Sequence, residues 1–195
     1  QNGQALEEVS WDVGGSFEEK AGKFGFNETM FDTELCFGIG EKRSDNTFEI
    51  TYKVENAIEK TKDGAYFLHW KFINDNLSDP VGKIRLELTF PNKVLKIYGF
   101  GYEGLVAMAD DKANTVVYEN GPDRPLREDN QLIALVEVEG PFASFRDRDQ
   151  NRLDLYTEAF EDSSYNIDDL DKENNLLSER DLAKQIEKDG TYNVS

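Results

Sequence analysis

The hydrophobic pattern is sharpest over residues 47–55, where the chain alternates without a break. Phe48, Ile50, Tyr52 and Val54 fall on one side, and Thr47, Glu49, Thr51, Lys53 and Glu55 on the other. A period of two built from β-branched and aromatic residues predicts a half-buried strand. Burying its four apolar side chains would contribute roughly 6–10 kcal/mol gross. A slip by one residue would place two glutamates and a lysine in the core, so the register is expected to be unique. After a polar loop containing Asp63-Gly64, residues 65–73 carry Tyr66, Leu68, Trp70 and Phe72 on a second apolar face. These two stretches are expected to pair as the middle of a sheet.

Shorter strand patterns flank them. Residues 6–13 and 35–39 read as strands, and the irregular span 16–34, with Phe17, Phe24, Phe26 and Phe31, reads as a long loop or short helical turn. Residues 83–90 place Ile84, Leu86, Leu88 and Phe90 inward; residues 94–100 form another strand, followed by a tight corner at Gly99, Gly101 and Gly104. Residues 105–108 and 115–118 suggest a hairpin, and 131–139 a strong final strand ending at Gly140-Pro141. The period then changes. Leu153, Tyr156, Ala159 and Phe160 follow helical spacing, with Ser144 available as a cap. Beyond them an acid-rich stretch could form a thin helix over 178–189.

Eight or nine strands with turn signals between them, then a helix, predict an all-β, antiparallel immunoglobulin-like β-sandwich with a C-terminal helix. The expected organisation is a β-sandwich domain over 1–143, a C-terminal helix packed on it over 144–165, and an acidic linker or short helix over 166–195.

Charge narrows the partners. Forty acidic against 22 basic residues give a net charge of -18 in 195 residues. Such a surface excludes nucleic acid, whose phosphates require stripes of Lys and Arg, and disfavours anionic membrane surfaces. Repulsion among the carboxylates is expected to weaken the fold at low salt. The single cysteine, Cys36, lies in an apolar run and reads as a buried, inert thiol. No apolar run approaches the roughly 18 residues of a membrane span. The chain begins at Gln1, and a segment preceding it is expected.

Candidate chemistry is sparse. His69 is the only histidine and sits opposite Leu68 and Trp70 on its strand, with no nucleophile motif elsewhere. One His and one Cys do not make a zinc site. Asp75 with Asp79, Asp110-Asp111 and Asp168-Asp169-Asp171 are oxygen-rich but lack the spacing of a calcium-binding loop, and read as turn and solvating residues. Glycoside hydrolysis needs two carboxylates in one cleft, and 40 acidic residues single out no pair. Trp11, Tyr52, Trp70 and Tyr102 are candidates for a sugar platform, although Tyr52 and Trp70 fall on apolar strand faces and read as core. No catalytic, cofactor-binding or metal-ligating residue is therefore assigned, and no cofactor is expected.

The order of motifs nevertheless resembles a family. Leu35-Cys36-Phe37-Gly38, then Phe48-x-Ile50-x-Tyr52-x-Val54-x-Asn56, then Trp70-x-Phe72-Ile73-Asn74 is similar to predicted bacterial membrane proteins grouped as a domain of unknown function. Pro91, the stretch 99–104 and Ala159-Phe160-Glu161 extend the resemblance over roughly residues 10–165. It implies a signal peptide, an extracytoplasmic β-rich N-terminal domain and membrane spans outside this piece, and no catalytic residues. The expected function is a non-enzymatic interaction, sensing or cell-envelope module at the extracytoplasmic side of the cell membrane, with an unknown protein or cell-wall partner. The alternatives are a carbohydrate-binding module using exposed aromatics and, last, a carboxylate-dependent hydrolase.

Overall fold

Two sets of short strands, divided between residues 53 and 54, carry the fold. The computed structural model describes residues 1–30, 33–39, 46–75, 79–102, 105–110, 114–121, 123–161, 163 and 165. The chain separates into two compact units, Gln1–Lys53 and Val54–Ser195, a boundary inside the 1–143 span. The stretch 166–195, with its thin-helix pattern, lies outside the described residues.

The first unit contains β1 (Glu7–Glu8), the single-turn helix α1 (Phe17–Lys20), β2 (Lys23–Glu28) and β3 (Thr33–Phe37). The three strands form one sheet in the order β1-β2-β3, with β1 parallel to β2 and β2 antiparallel to β3. A capping box starts α1: the Ser16 amide donates to Glu19 Oε2 at 2.9 Å and the Glu19 amide to Ser16 Oγ at 3.3 Å. The expected irregular loop over 16–34 thus contains a strand. Gly25 disguised it, because a glycine in mid-strand weakens the pattern. Here it permits a close approach, since a Cβ at that position would lie 2.5 Å from the Val9 carbonyl oxygen.

The alternating stretch does not form the expected strand. Residues 46–54 belong to no helix and no ladder. Phe48 stacks on Phe37 with ring centroids 4.5 Å apart. Ile50, Tyr52 and Val54, however, are 47%, 73% and 42% exposed. Alternation expresses a side-chain preference for a pleated surface, but a strand also needs a neighbour to satisfy its backbone.

The second unit contains β4 (Ile58–Lys60), β5 (Tyr66–Ile73), β6 (Arg85–Thr89), β7 (Val94–Phe100), β8 (Leu105–Asp110), β9 (Thr115–Asn120), β10 (Leu132–Val138), β11 (Arg146–Asp147) and α2 (Arg152–Phe160). One sheet has the order β11-β4-β5-β10-β7 and the other β6-β9-β8. All pairings are antiparallel except β11 with β4, so the five-stranded sheet is mixed and the three-stranded one purely antiparallel. The expected hairpin around Asp63-Gly64 exists, but β4 rather than residues 47–55 partners β5. The expected β8–β9 hairpin also forms.

Strand β10 explains the layering. Leu132, Ala134, Val136 and Val138 enter a core shared with Val116 and Tyr118 of β9 and Leu105 of β8. Leu135, on the opposite face, packs with Phe67 of β5 and with Leu155, Tyr156 and Phe160 of α2. A strand covered on both sides reads as a nearly continuous apolar run, as β10 does. Gly99 of β7 leaves room for this core, since a Cβ there would meet Leu105 Cδ2 at 2.5 Å and Tyr118 Cε1 at 3.1 Å. Tyr98 closes the helix side with an edge-on contact to Phe160 at 4.9 Å.

The mostly β architecture with a C-terminal helix therefore holds, with the helix shorter than the pattern suggested. Leu155 is buried and Leu153 is 59% exposed, reversing the expected inward face at that turn. Ser144 does not cap it. Its hydroxyl donates to Asn56 Oδ1 at 2.6 Å, and residues 146–147 form β11 before the helix begins.

Candidate interaction surface

In the first unit, β2 and β3 turn four large apolar side chains to one face. The register pairs Phe24 with Phe37 and Phe26 with Leu35, so the i, i+2 spacing on each strand builds a continuous patch. Phe24 and Phe26 meet edge to face at 6.3 Å. Residues 48–52 run beside this patch, and together they enclose a groove of about 330 Å³ with Gln1, Gln4 and Glu49 among its polar lining residues. Phe26 is 50% and Leu35 39% exposed, and Ile50 and Tyr52 line the same groove. A contiguous, exposed apolar groove of this kind suits association, because leaving it in water forgoes the burial energy that organises the rest of the chain. Among the described residues its lining has no lysine, arginine or histidine.

The four aromatics considered for a sugar platform are not brought together within one unit. Trp11 and Tyr52 belong to the first unit, Trp70 and Tyr102 to the second. Trp11 is partly covered, with Lys20 Nζ 5.5 Å from its ring. Tyr52 is the opposite of the expected core residue. Trp70 is likewise at the exposed end of its range, whereas Tyr102 packs against the main core and donates its hydroxyl to the Arg124 carbonyl. Cys36, expected to be buried, is only partly so.

In the second unit two buried carboxylates, Glu59 and Glu137, are held by arginines. Glu59, almost fully buried, accepts from Arg148 Nη1 at 2.8 Å and from Arg146. Burial alone would raise its pKa, but the bonds and charges of the two arginines outweigh this and hold it below the ordinary carboxyl value. Glu137 accepts from Arg152 Nε at 2.8 Å and from Tyr156 Oη at 2.6 Å. Burial first, and the Glu137 charge second, push the Tyr156 phenol far above its ordinary range. His69 lies on this face, opposite Leu135 in the ladder. Burial and then Arg148 lower its pKa, with Glu59 and Glu158 opposing. Both buried carboxylates are consumed by arginine pairing, the reason to read the cluster as fastening the helix. Asp75, Asp79 and Asp110 join no metal-holding group, and none is formed among the described residues. Asp111, Asp168, Asp169 and Asp171 lie outside them.

The family comparison matches residues 8–133 to the model described as the predicted membrane protein (DUF2207) N-terminal domain. The chain belongs to this family. The DUF2207 match covers the groove-forming strands and ends within β10, so α2 lies beyond it. Comparison with curated proteins and with solved structures gave no match. No helix among the described residues of this DUF2207 domain is long and apolar enough to cross a membrane. The family is legible in the motifs between Leu35 and Asn74, whereas the groove is not. Its signal was present as Phe24-x-Phe26 and Leu35-x-Phe37, two short alternating runs that become one face only when paired.

Proposed function

We propose that this domain is a non-enzymatic, extracytoplasmic interaction module of a membrane-anchored bacterial protein, and that the apolar groove of its first unit is the docking surface. The observation that carries the reading is the exposed face formed by Phe26, Leu35, Ile50 and Tyr52. Membership of a membrane-protein family supports attachment to a membrane. The net charge of -18 supports a domain standing clear of anionic lipid. The arginine-held state of Glu59 and Glu137 supports a structural role for these carboxylates rather than hydrolysis. In the second unit, the core shared by two sheets supports an immunoglobulin-like reading of that part.

Two experiments test this. In intact cells carrying the full-length membrane protein with Cys36→Ser and Thr51→Cys, a membrane-impermeant maleimide should label the domain; labelling only after lysis overturns the sidedness. A neutral hydrophobic dye should bind the wild-type protein and lose its enhanced emission with Phe26→Gln, at unchanged circular dichroism. Equal emission from both proteins overturns the groove. The carbohydrate reading draws on the exposed Tyr52 ring, and saturable binding of a cell-wall glycan abolished by Tyr52→Ala would favour it.

A further inference from the structure

Residues 48–52 have strand composition, line the groove, and form no backbone hydrogen bond with another described segment. An extended peptide can add to such a segment as a strand, its main chain supplying the bonds and its alternate side chains entering the groove. The charges around the groove say what those side chains are. Glu49 lines it. Glu8 stands beside Phe24 in the β1–β2 register, and Glu28 continues the row of Phe24 and Phe26 along β2, so both fall on the apolar face. All three carboxylates are exposed. Among the described residues none of them forms an ion pair. We propose that the groove binds an extended segment of a partner protein in which apolar residues alternate with lysine or arginine, added as a strand along residues 48–52. The proposal rests on the reading of this face as a docking surface and names its occupant.

Three arguments select that occupant. Cross-strand neighbours point to the same side, so partner residues opposite Phe48, Ile50 and Tyr52 meet apolar side chains, and the one opposite Glu49 meets a carboxylate. Lysine and arginine suit this frame, because their stems cover apolar surface while their heads reach Glu8, Glu28 or Glu49. A wholly apolar strand would instead strip water from these carboxylates without giving them a partner. Charge also sets aside a second copy of the chain. A two-fold contact brings the same patch against itself, so the three carboxylates would face their own duplicates in molecules of net charge -18. Finally, a groove of about 330 Å³ is at the small end of the roughly 300–1,000 Å³ range of ligand pockets, the size for a few side chains of a short segment. The acidic field would speed encounter with a basic segment and weaken as salt rises.

Fluorescence anisotropy of a dye-tagged, end-blocked peptide Val-Lys-Val-Lys-Val titrated with the whole chain, at about 0.15 M salt, tests the proposal. The expected result is saturable binding, at least tenfold weaker for Val-Glu-Val-Glu-Val and for Ala-Lys-Ala-Lys-Ala. Glu49→Lys should weaken binding of the lysine peptide about tenfold at unchanged circular dichroism. General attraction to an acidic protein predicts almost no change there, because the variant is still strongly acidic. Methylating the amides of peptide residues one, three and five blocks one edge of the added strand, and methylating two and four blocks the other. One of these peptides should bind and the other should not. Absence of saturable binding overturns the proposal, as do equal affinities for the lysine and glutamate peptides, indifference to Glu49→Lys, or equal behaviour of the two methylated peptides. A doubling of mass in sedimentation that is lost with Phe26→Gln would give the face to a second copy, and adsorption to phosphatidylcholine vesicles lost with Phe26→Gln would give it to lipid; either overturns the peptide. If the neutral dye binds and is lost with Phe26→Gln while the lysine peptide fails to bind, the docking surface stands and this occupant falls. If the dye fails as well, both fall.

Discussion

The phenol of Tyr156 donates to Glu137 Oε2 at 2.6 Å within a buried contact. Tyr156 lies on α2 and Glu137 on β10, so this bond fixes the helix to the strand shared by both layers of the second unit. Arg152 Nε occupies the other carboxylate oxygen at 2.8 Å. Removing the hydroxyl leaves a buried charge with one partner fewer. Tyr156→Phe should therefore cost about 1.5–3 kcal/mol, read as a lower urea midpoint at unchanged slope.

Glu59 gives the fold an acid-sensitive fastening. Its folded pKa lies below the ordinary value of 4.5, so its stabilising contribution is present above that value and is lost as pH falls through the folded one. Glu59→Gln should destabilise the protein by about 3 kcal/mol at neutral pH, because Arg148 keeps its charge in a largely buried place. Below pH 4.5 the wild-type and variant stability curves should converge.

His69 acts at higher pH. Burial and Arg148 lower its pKa in the fold, against Glu59 and Glu158, so the unfolded chain takes up the proton first on acidification. Stability should decline as pH drops through the ordinary imidazole range, near about 6.5, and level off once the folded histidine is protonated. In His69→Gln the decline between about pH 7 and 5 should be shallower in paired thermal melts.

Gly99 tests the close approach of β7 to the second sheet. An added methyl group would press on Leu105 and on the Tyr118 ring, which is 0% exposed and whose hydroxyl donates to the Tyr98 carbonyl at 3.0 Å. Leucine can shift, but the tyrosine is held at both ends. Gly99→Ala should cost about 1–3 kcal/mol in chemical unfolding.

Tyr52 tests the corrected strand. A core tyrosine in a half-buried strand would cost about 3–5 kcal/mol on truncation to alanine. At 73% exposure, Tyr52→Ala should change monomer stability by no more than about 0.5 kcal/mol while reducing dye binding in the groove. Parallel unfolding and dye titrations separate the two effects.

The sequence alone determined the mostly β character, the positions of β5 to β10, the β8–β9 hairpin and the presence of a terminal helix. Those elements have strong local periodicity or defined turn chemistry, and periodicity is a property of neighbouring residues. It also carried the family, through motifs distributed along the matched stretch. Tertiary structure alone decided that residues 47–55 enter no ladder although their pattern is the most regular in the chain, because a ladder depends on a second strand distant in sequence. It decided that Glu59 is buried, since only the arrival of Arg146 and Arg148 from almost ninety residues away makes that burial affordable. It also decided the groove, where Phe24, Phe26, Leu35 and Phe37 became one surface through the β2–β3 register.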